Sequence, residues 1–92
     1  MVKIRAHVFI SGIVQGVFFR QKTKQQAESQ SVTGWIKNLP DGRVEAIFEG
    51  EAEAVNRLVD FSKKGPINAQ VTDFDLKWEK YKGEFRNFEI IF

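Results

Sequence analysis

A chain of 92 residues, 42% hydrophobic and 28% charged, has the balance of one small globular domain spanning 1–92, and nine Phe and two Trp give its core ample bulk. The absence of cysteine excludes disulfides, thiolate chemistry and Cys-ligated metals, the single His7 excludes a His-rich zinc site, and a net charge of +2 with both signs interspersed makes no nucleic-acid stripe. No run approaches the roughly 18 apolar residues of a membrane span, and Met1 leads into an alternating pattern instead of a signal-peptide core, so a cytoplasmic location is expected.

Val2, Ile4, Ala6, Val8 and Ile10 alternate with Lys3, Arg5, His7 and Phe9, which predicts a half-buried strand over 2–10. His7 falls on the outer face, as a surface residue and not a catalytic one. Residues 11–18 read as a loop. Residues 19–30 lack Gly and Pro and are rich in Gln, Lys and Glu, which predicts a helix with a thin buried stripe of Phe19, Thr23 and Ala27.

A second strand is expected over 32–38, with Val32, Gly34 and Ile36 on one face and Thr33, Trp35 and Lys37 on the other. Leu39-Pro40-Asp41-Gly42 has turn chemistry, and 43–49 alternates again with Val44, Ala46 and Phe48 inward, so the two strands form a hairpin. Glu45 and Glu49 then share the outer face of the third strand. Residues 51–64 predict a second helix through Val55, Leu58, Val59 and Ser62, with Glu51 and Glu53 at its start and Lys63 and Lys64 at its end to complement the helix dipole. Gly65-Pro66 stops it. Strands over 71–80 and 85–92 complete the chain, separated by a turn or loose loop at Gly83.

The order βαββαβ with a fifth strand predicts an α+β, ferredoxin-like sandwich: an antiparallel-rich five-stranded sheet with two helices on one face. Strands one and two are parallel through a right-handed crossover, and strand three lies between them. Both parallel strands therefore end on one edge of the sheet, about 10 Å apart at two strand spacings.

That edge collects the candidate chemistry. Gly12-Ile13-Val14-Gln15-Gly16-Val17-Phe18-Phe19-Arg20 leaves the first strand and starts the first helix. Free N–H groups at a helix start and the positive end of its dipole suit an anion. Arg20, in the first turn, can lean back over the loop with a planar fork that fits a phosphate. Asn38 ends the second strand opposite, with one acceptor and two donors that could position a water, although it cannot act as a base. No carboxylate pair, thiol, histidine or metal cluster accompanies them, so the pattern suits phosphoryl transfer to water from a substrate with a good leaving group. The loop is neither a Walker A motif nor a dinucleotide fingerprint.

The sequence closely resembles the acylphosphatase family. Residues 12–20 match every fixed position of that family's Gly-x-Val-Gln-Gly-Val-x-Phe/Tyr-Arg signature, and Gly34-Trp35-Ile36-Lys37-Asn38 with Gly42-Arg43-Val44 and Gly50 matches its second signature. Ile36 is bulkier than is usual there, a change on the core side. Gly83, Glu84 and Phe85 match the closing pattern, and the chain reads as a free-standing enzyme. The resemblance implies metal-free and cofactor-free hydrolysis of small acyl phosphates to a carboxylate and inorganic phosphate. It implies that Arg20 binds phosphoryl oxygens, that Asn38 orients the water, and that the N–H groups of Gln15, Gly16, Val17, Phe18 and Phe19 line the phosphate cradle. The Gln15 side chain is expected to shape the loop. A monomer with no nucleic-acid or membrane partner is expected, and weak acyl selectivity, since no acyl pocket is legible.

The alternative is a ferredoxin-like anion- or RNA-binding module without catalysis, with Phe9 as an outward aromatic. Glu45 and Glu49 on the same face oppose it. Should the last strand run parallel to the second, the Phe92 carboxylate would reach the active-site edge and pair with Arg20.

Overall fold

The computed structural model describes residues 2–92; Met1, expected to lead into the first strand, lies outside them. The elements are β1 (Lys3–Ile13), α1 (Phe19–Ser29), β2 (Thr33–Asn38), β3 (Val44–Glu51), α2 (Ala52–Lys64), β4 (Gln70–Glu79) and β5 (Phe88–Ile91). They form a sheet of order β4-β1-β3-β2-β5. β3 is antiparallel to both β1 and β2, which therefore run parallel and end on the same edge. β5 adds in parallel beside β2, with Lys37 opposite Ile91. This is the expected ferredoxin-like α+β sandwich.

The core lies between the sheet and the helices because alternation sends one face of each strand toward them. Ala6, Val8 and Ile10 of β1, Ile36 of β2, Val44, Ala46 and Phe48 of β3 and Phe88 of β5 are all buried. α2 presents Val55, Leu58 and Val59 to β1, β3 and β4, and α1 presents Phe19, Thr23 and Ala27 to β2 and β5, the stripe expected from its spacing of four. Phe48 and Phe88 stack with ring centroids 5.8 Å apart, which fixes β5 against the middle of the sheet.

Three boundaries depart from the sequence pattern. β5 covers only Phe88–Ile91 and not 85–92, because residues 80–87 are tied across the outer face of the sheet. β1 runs on to Ile13, three residues past the alternating stretch, through a bulge that puts Ser11 opposite Asp73 and Gly12 opposite Val71. Gly12 adopts φ 126°, and a Cβ there would lie 2.0 Å from the carbonyl oxygen of Gln70. Gly12 thus serves the close approach of β1 to β4, and the loop proper starts after Ile13, not at Ser11. β3 likewise runs through Gly50 to Glu51 before α2 begins.

The outer face of the sheet is not a simple solvated surface. Residues 80–87 fold back over it, and Glu49 is fully buried beneath them, accepting hydrogen bonds from the N–H groups of Lys82 (2.8 Å) and Gly83 (3.2 Å). Arg5, itself nearly buried, pairs with Glu49 (3.1 Å), Glu79 (2.9 Å) and Glu84 (2.9 Å). Burial alone would lower the Arg5 pKa, but the hydrogen bonds it donates to Glu84, Glu79 and Glu49 outweigh it and hold the guanidinium above its ordinary value. His7 lies on this face, as expected, though half-buried and clasped: its ring nitrogens stand 2.8 Å from Glu79 and 2.6 Å from Glu45. The ties from Arg5 and Glu49 hold the return segment that carries the chain from β4, on one edge of the sheet, to β5 on the other.

Candidate active site

The loop between Ile13 and Phe19 turns through two left-handed residues, Gly16 (φ 74°) and Phe18 (φ 63°). A bulky residue in that region is strained and persists only where its surroundings demand it. Phe18 is also the residue flanking the start of α1, and no side chain caps this helix. Its first backbone bond runs from the Lys22 N–H to the Phe18 carbonyl, at 3.0 Å. Among the described residues, none of the N–H groups from Gly16 to Phe18 finds a protein acceptor, and those of Phe19 to Gln21 have none within the helix. There is no acidic residue in the first turn of α1 to satisfy its dipole. The result is an uncapped, positively polarised helix start.

These groups border a small cleft of about 140 Å³, lined by Val14, Gly16, Phe18, Phe19, Arg20, Gln21 and Asn38. The structure thus brings Gly16, Phe18, Phe19, Arg20 and Asn38 together at the edge where β1 and β2 end. Gln15 and Val17 are not among the lining residues. Gln15 turns its side chain to the β2–β3 turn, where Nε2 donates to the carbonyls of Leu39 and Arg43, both at 2.9 Å. Val17 packs on the core. Gln15 therefore ties the loop to the hairpin that carries Asn38, the shaping role expected of it.

Asn38 is the last residue of β2, and its Oδ1 is buried with no hydrogen-bond partner. A buried orphan acceptor costs about 1–3 kcal/mol, so this one is a demand for a donor. The Arg20 guanidinium lies 5.3 Å from the centre of the Phe92 ring. The last residue thus does reach this edge, as the parallel pairing of β5 predicts, but it meets Arg20 through its ring; no ion pair between Arg20 and the terminal carboxylate forms. Sequence reasoning missed two wall residues. Val14 could have been found as the next apolar position after the strand, and Gln21 as the residue beside Arg20 in the first turn.

A roomier groove of about 420 Å³ lies by Trp35, Phe85 and Ile91. It contains no residue of the loop and no helix start, so the anion chemistry belongs to the smaller cleft. On the sheet's outer face, the Arg43 guanidinium covers the Phe9 ring at 5.2 Å. With Glu45 and Glu79 nearby around His7, Phe9 is not a free platform for a base.

Fold and site together define a small ferredoxin-like α+β protein whose sheet edge carries an anion loop faced by an arginine and an amide. The sequence profile of the acylphosphatase family matches residues 6–90, and the chain belongs to that family of acyl-phosphate hydrolases. An acylphosphatase of Roseiflexus sp. is 54% identical over 87 residues, covering 95% of this chain and 94% of that protein. One from Syntrophobacter fumaroxidans is 50% identical over 92 residues, covering 100% of this chain and 95% of its own. The crystal structure of the Bacillus subtilis acylphosphatase superposes with a TM-score of 0.91 at 31% identity, covering 97% of this chain and 99% of that one.

Proposed function

We propose that the cleft holds the phosphoryl group of a small acyl phosphate and that the chain hydrolyses its carboxyl–phosphate bond without a metal or other cofactor. The N–H groups of Gln15, Gly16, Val17, Phe18 and Phe19 and the Arg20 guanidinium bind the phosphoryl oxygens. Asn38 accepts a hydrogen bond from the attacking water and orients it. The water oxygen bonds to phosphorus while the bond from phosphorus to the acyl oxygen breaks, and its electron pair leaves with the carboxylate. The protons of the water go to the phosphate product and to solvent.

A carboxylate leaves without protonation, which matches a cleft lined by no carboxylate, thiol or imidazole. Positioning and fixed positive charge then supply the catalysis. The observation that carries this reading is the orphaned Oδ1 of Asn38, beside Arg20 in one cleft. A water donating to it satisfies the acceptor and stands next to the anion. The chain works in this reading as a single-domain cytoplasmic monomer, acting on small molecules and not on nucleic acid or membrane. No helix among the described residues is long and apolar enough to cross a membrane.

Hydrolysis of benzoyl phosphate, with and without chelator, tests it. Asn38→Ala should lower kcat by about a hundredfold or more and leave inhibition by inorganic phosphate within about threefold. Arg20→Ala should weaken both. An Asn38→Ala chain with near-native kcat would overturn the assignment of the water.

A further inference from the structure

Seven large apolar residues are exposed among the described residues: Val2, Ile13, Phe18, Ile67, Trp78, Ile91 and Phe92. Scattered singly, they would need no explanation. Their distribution is uneven. Val2 and Trp78 lie toward the far end of the sheet, where β1 begins and β4 ends. The other five lie at the active-site end. Ile13 ends β1 and pairs with Gln70 at the start of β4, three residues after Ile67; Phe18 lies in the loop; Ile91 ends β5 opposite Lys37, and Phe92 follows it.

Two of the five stand at the cleft, one in its lining and one against Arg20. Phe18 lines the cleft while 65% exposed, its backbone held in the left-handed region at the start of α1. Phe92 is fully exposed, and its ring faces the Arg20 guanidinium at 5.3 Å. A chain that can bury Phe19, Phe48 and Phe88 completely leaves these two rings in water beside its anion cleft. Clustered exposed apolar surface of this kind marks a binding surface. The cleft, at about 140 Å³, suits a phosphoryl group and little more, so the rest of a substrate must emerge over its rim.

We propose that the Phe18 and Phe92 side chains are the specificity-determining rim of the site, receiving an apolar acyl group. Resting on the hydrolysis reading above, this makes the preferred substrates acyl phosphates with aromatic or extended alkyl acyl groups. Small acyl groups reach neither ring, and charged ones lose hydration against them. The rim is open, so it ranks substrates by apolar area and does not select one shape.

The test compares KM for benzoyl and acetyl phosphate, whose leaving carboxylates are of similar strength, in the parent chain, Phe18→Asn, Phe92→Ala and Ile67→Ser. Asn tolerates the left-handed backbone at position 18 while removing the ring. The expected result is a parent KM for benzoyl phosphate about tenfold below that for acetyl phosphate, with the ratio collapsing toward one in Phe18→Asn and Phe92→Ala and holding in Ile67→Ser. Equal KM values in the parent, or a ratio that survives both substitutions, would overturn the rim while leaving hydrolysis intact. Light scattering that shows a dimer dissolved by the same substitutions, with the ratio unchanged, would reassign the surface to contact between copies. A parent that binds inorganic phosphate but turns over neither substrate would remove the hydrolysis reading and the rim with it.

Discussion

The Nε2 of Gln15 donates to the carbonyl oxygen of Leu39 at 2.9 Å, and that one bond joins the anion loop to the residue that follows Asn38. A second bond from the same nitrogen to the Arg43 carbonyl spans the other side of the turn. The two halves of the cleft come from different elements, so their separation depends on this clamp. Gln15→Leu keeps the volume and removes both bonds. It should cost about 1–3 kcal/mol in urea unfolding. In kinetics it should raise the inhibition constant for inorganic phosphate and lower kcat together, because loop and water site drift apart. A variant with native stability and kinetics would mean that the loop holds its own shape.

The two loop glycines should separate stability from activity. A Cβ on Gly12 meets the Gln70 carbonyl at 2.0 Å, whereas one on Gly16 meets nothing within 4 Å. Gly12→Ala should therefore cost about 3 kcal/mol through the displaced β1–β4 pairing. Gly16→Ala pays only the left-handed backbone penalty of about 1 kcal/mol. Activity should follow the opposite order once folded protein is compared, since Gly16 borders the cleft and Gly12 does not. Thermal melts and benzoyl phosphate turnover of both variants check the pair.

Much of this is legible in the sequence. Alternation in 2–10 and 43–49, and Phe19, Thr23 and Ala27 at a spacing of four, are local patterns; the inward residues they predict are buried from Ala6 to Ile10, from Val44 to Phe48 and along α1, while Val2, outside the sheet, is exposed. The placement of Arg20 beside Asn38 follows from parallel strands ending on one edge, a topological consequence of element order. What stayed hidden depends on distant segments. Glu49 sits at a polar position of its strand and reads as solvated; it is buried only because residues 80–87 return across the sheet. Gly12 reads as part of the turning loop until β4 approaches it. The contact of the Phe92 ring with Arg20 needs both the parallel pairing of β5 and a side-chain rotamer, and sequence spacing encodes neither.

The buried carboxylate makes a third prediction. Glu49 accepts from Arg5 and from two backbone N–H groups, so its removal orphans several donors at once. Glu49→Ala should destabilise by about 3–5 kcal/mol, as for a broken buried pair. Glu49→Gln keeps an acceptor for the return segment and should recover part of that loss. Limited proteolysis should then cut Glu49→Ala within 80–87, since that segment loses its anchor on β3. Resistance equal to the parent would show that β5 pairing alone holds it down.

Acid should act through Glu79. Its pKa is lowered first by the hydrogen bond from His7 and then by that from Arg5. A carboxylate whose pKa is lower folded than unfolded contributes stability that is fully present above the unfolded value, about 4.3 for Glu, and lost as pH falls through the folded value. Stability should therefore hold from neutral pH down to about pH 5 and decline below it. Glu79 is partly exposed, so the loss should be modest and weakened by salt. Glu79→Gln cannot take up that proton, and its urea midpoint should fall less between pH 6 and pH 3 than the parent's, measured at about 0.1 M salt. The groups that face Glu79 here are Arg5 and His7 on β1, with Glu45 and Glu49 of β3 and Glu84 of the return segment bonded to the same two residues. If parent and variant lose stability in parallel, the acid response belongs to those other carboxylates and Glu79 is a bystander on the open face.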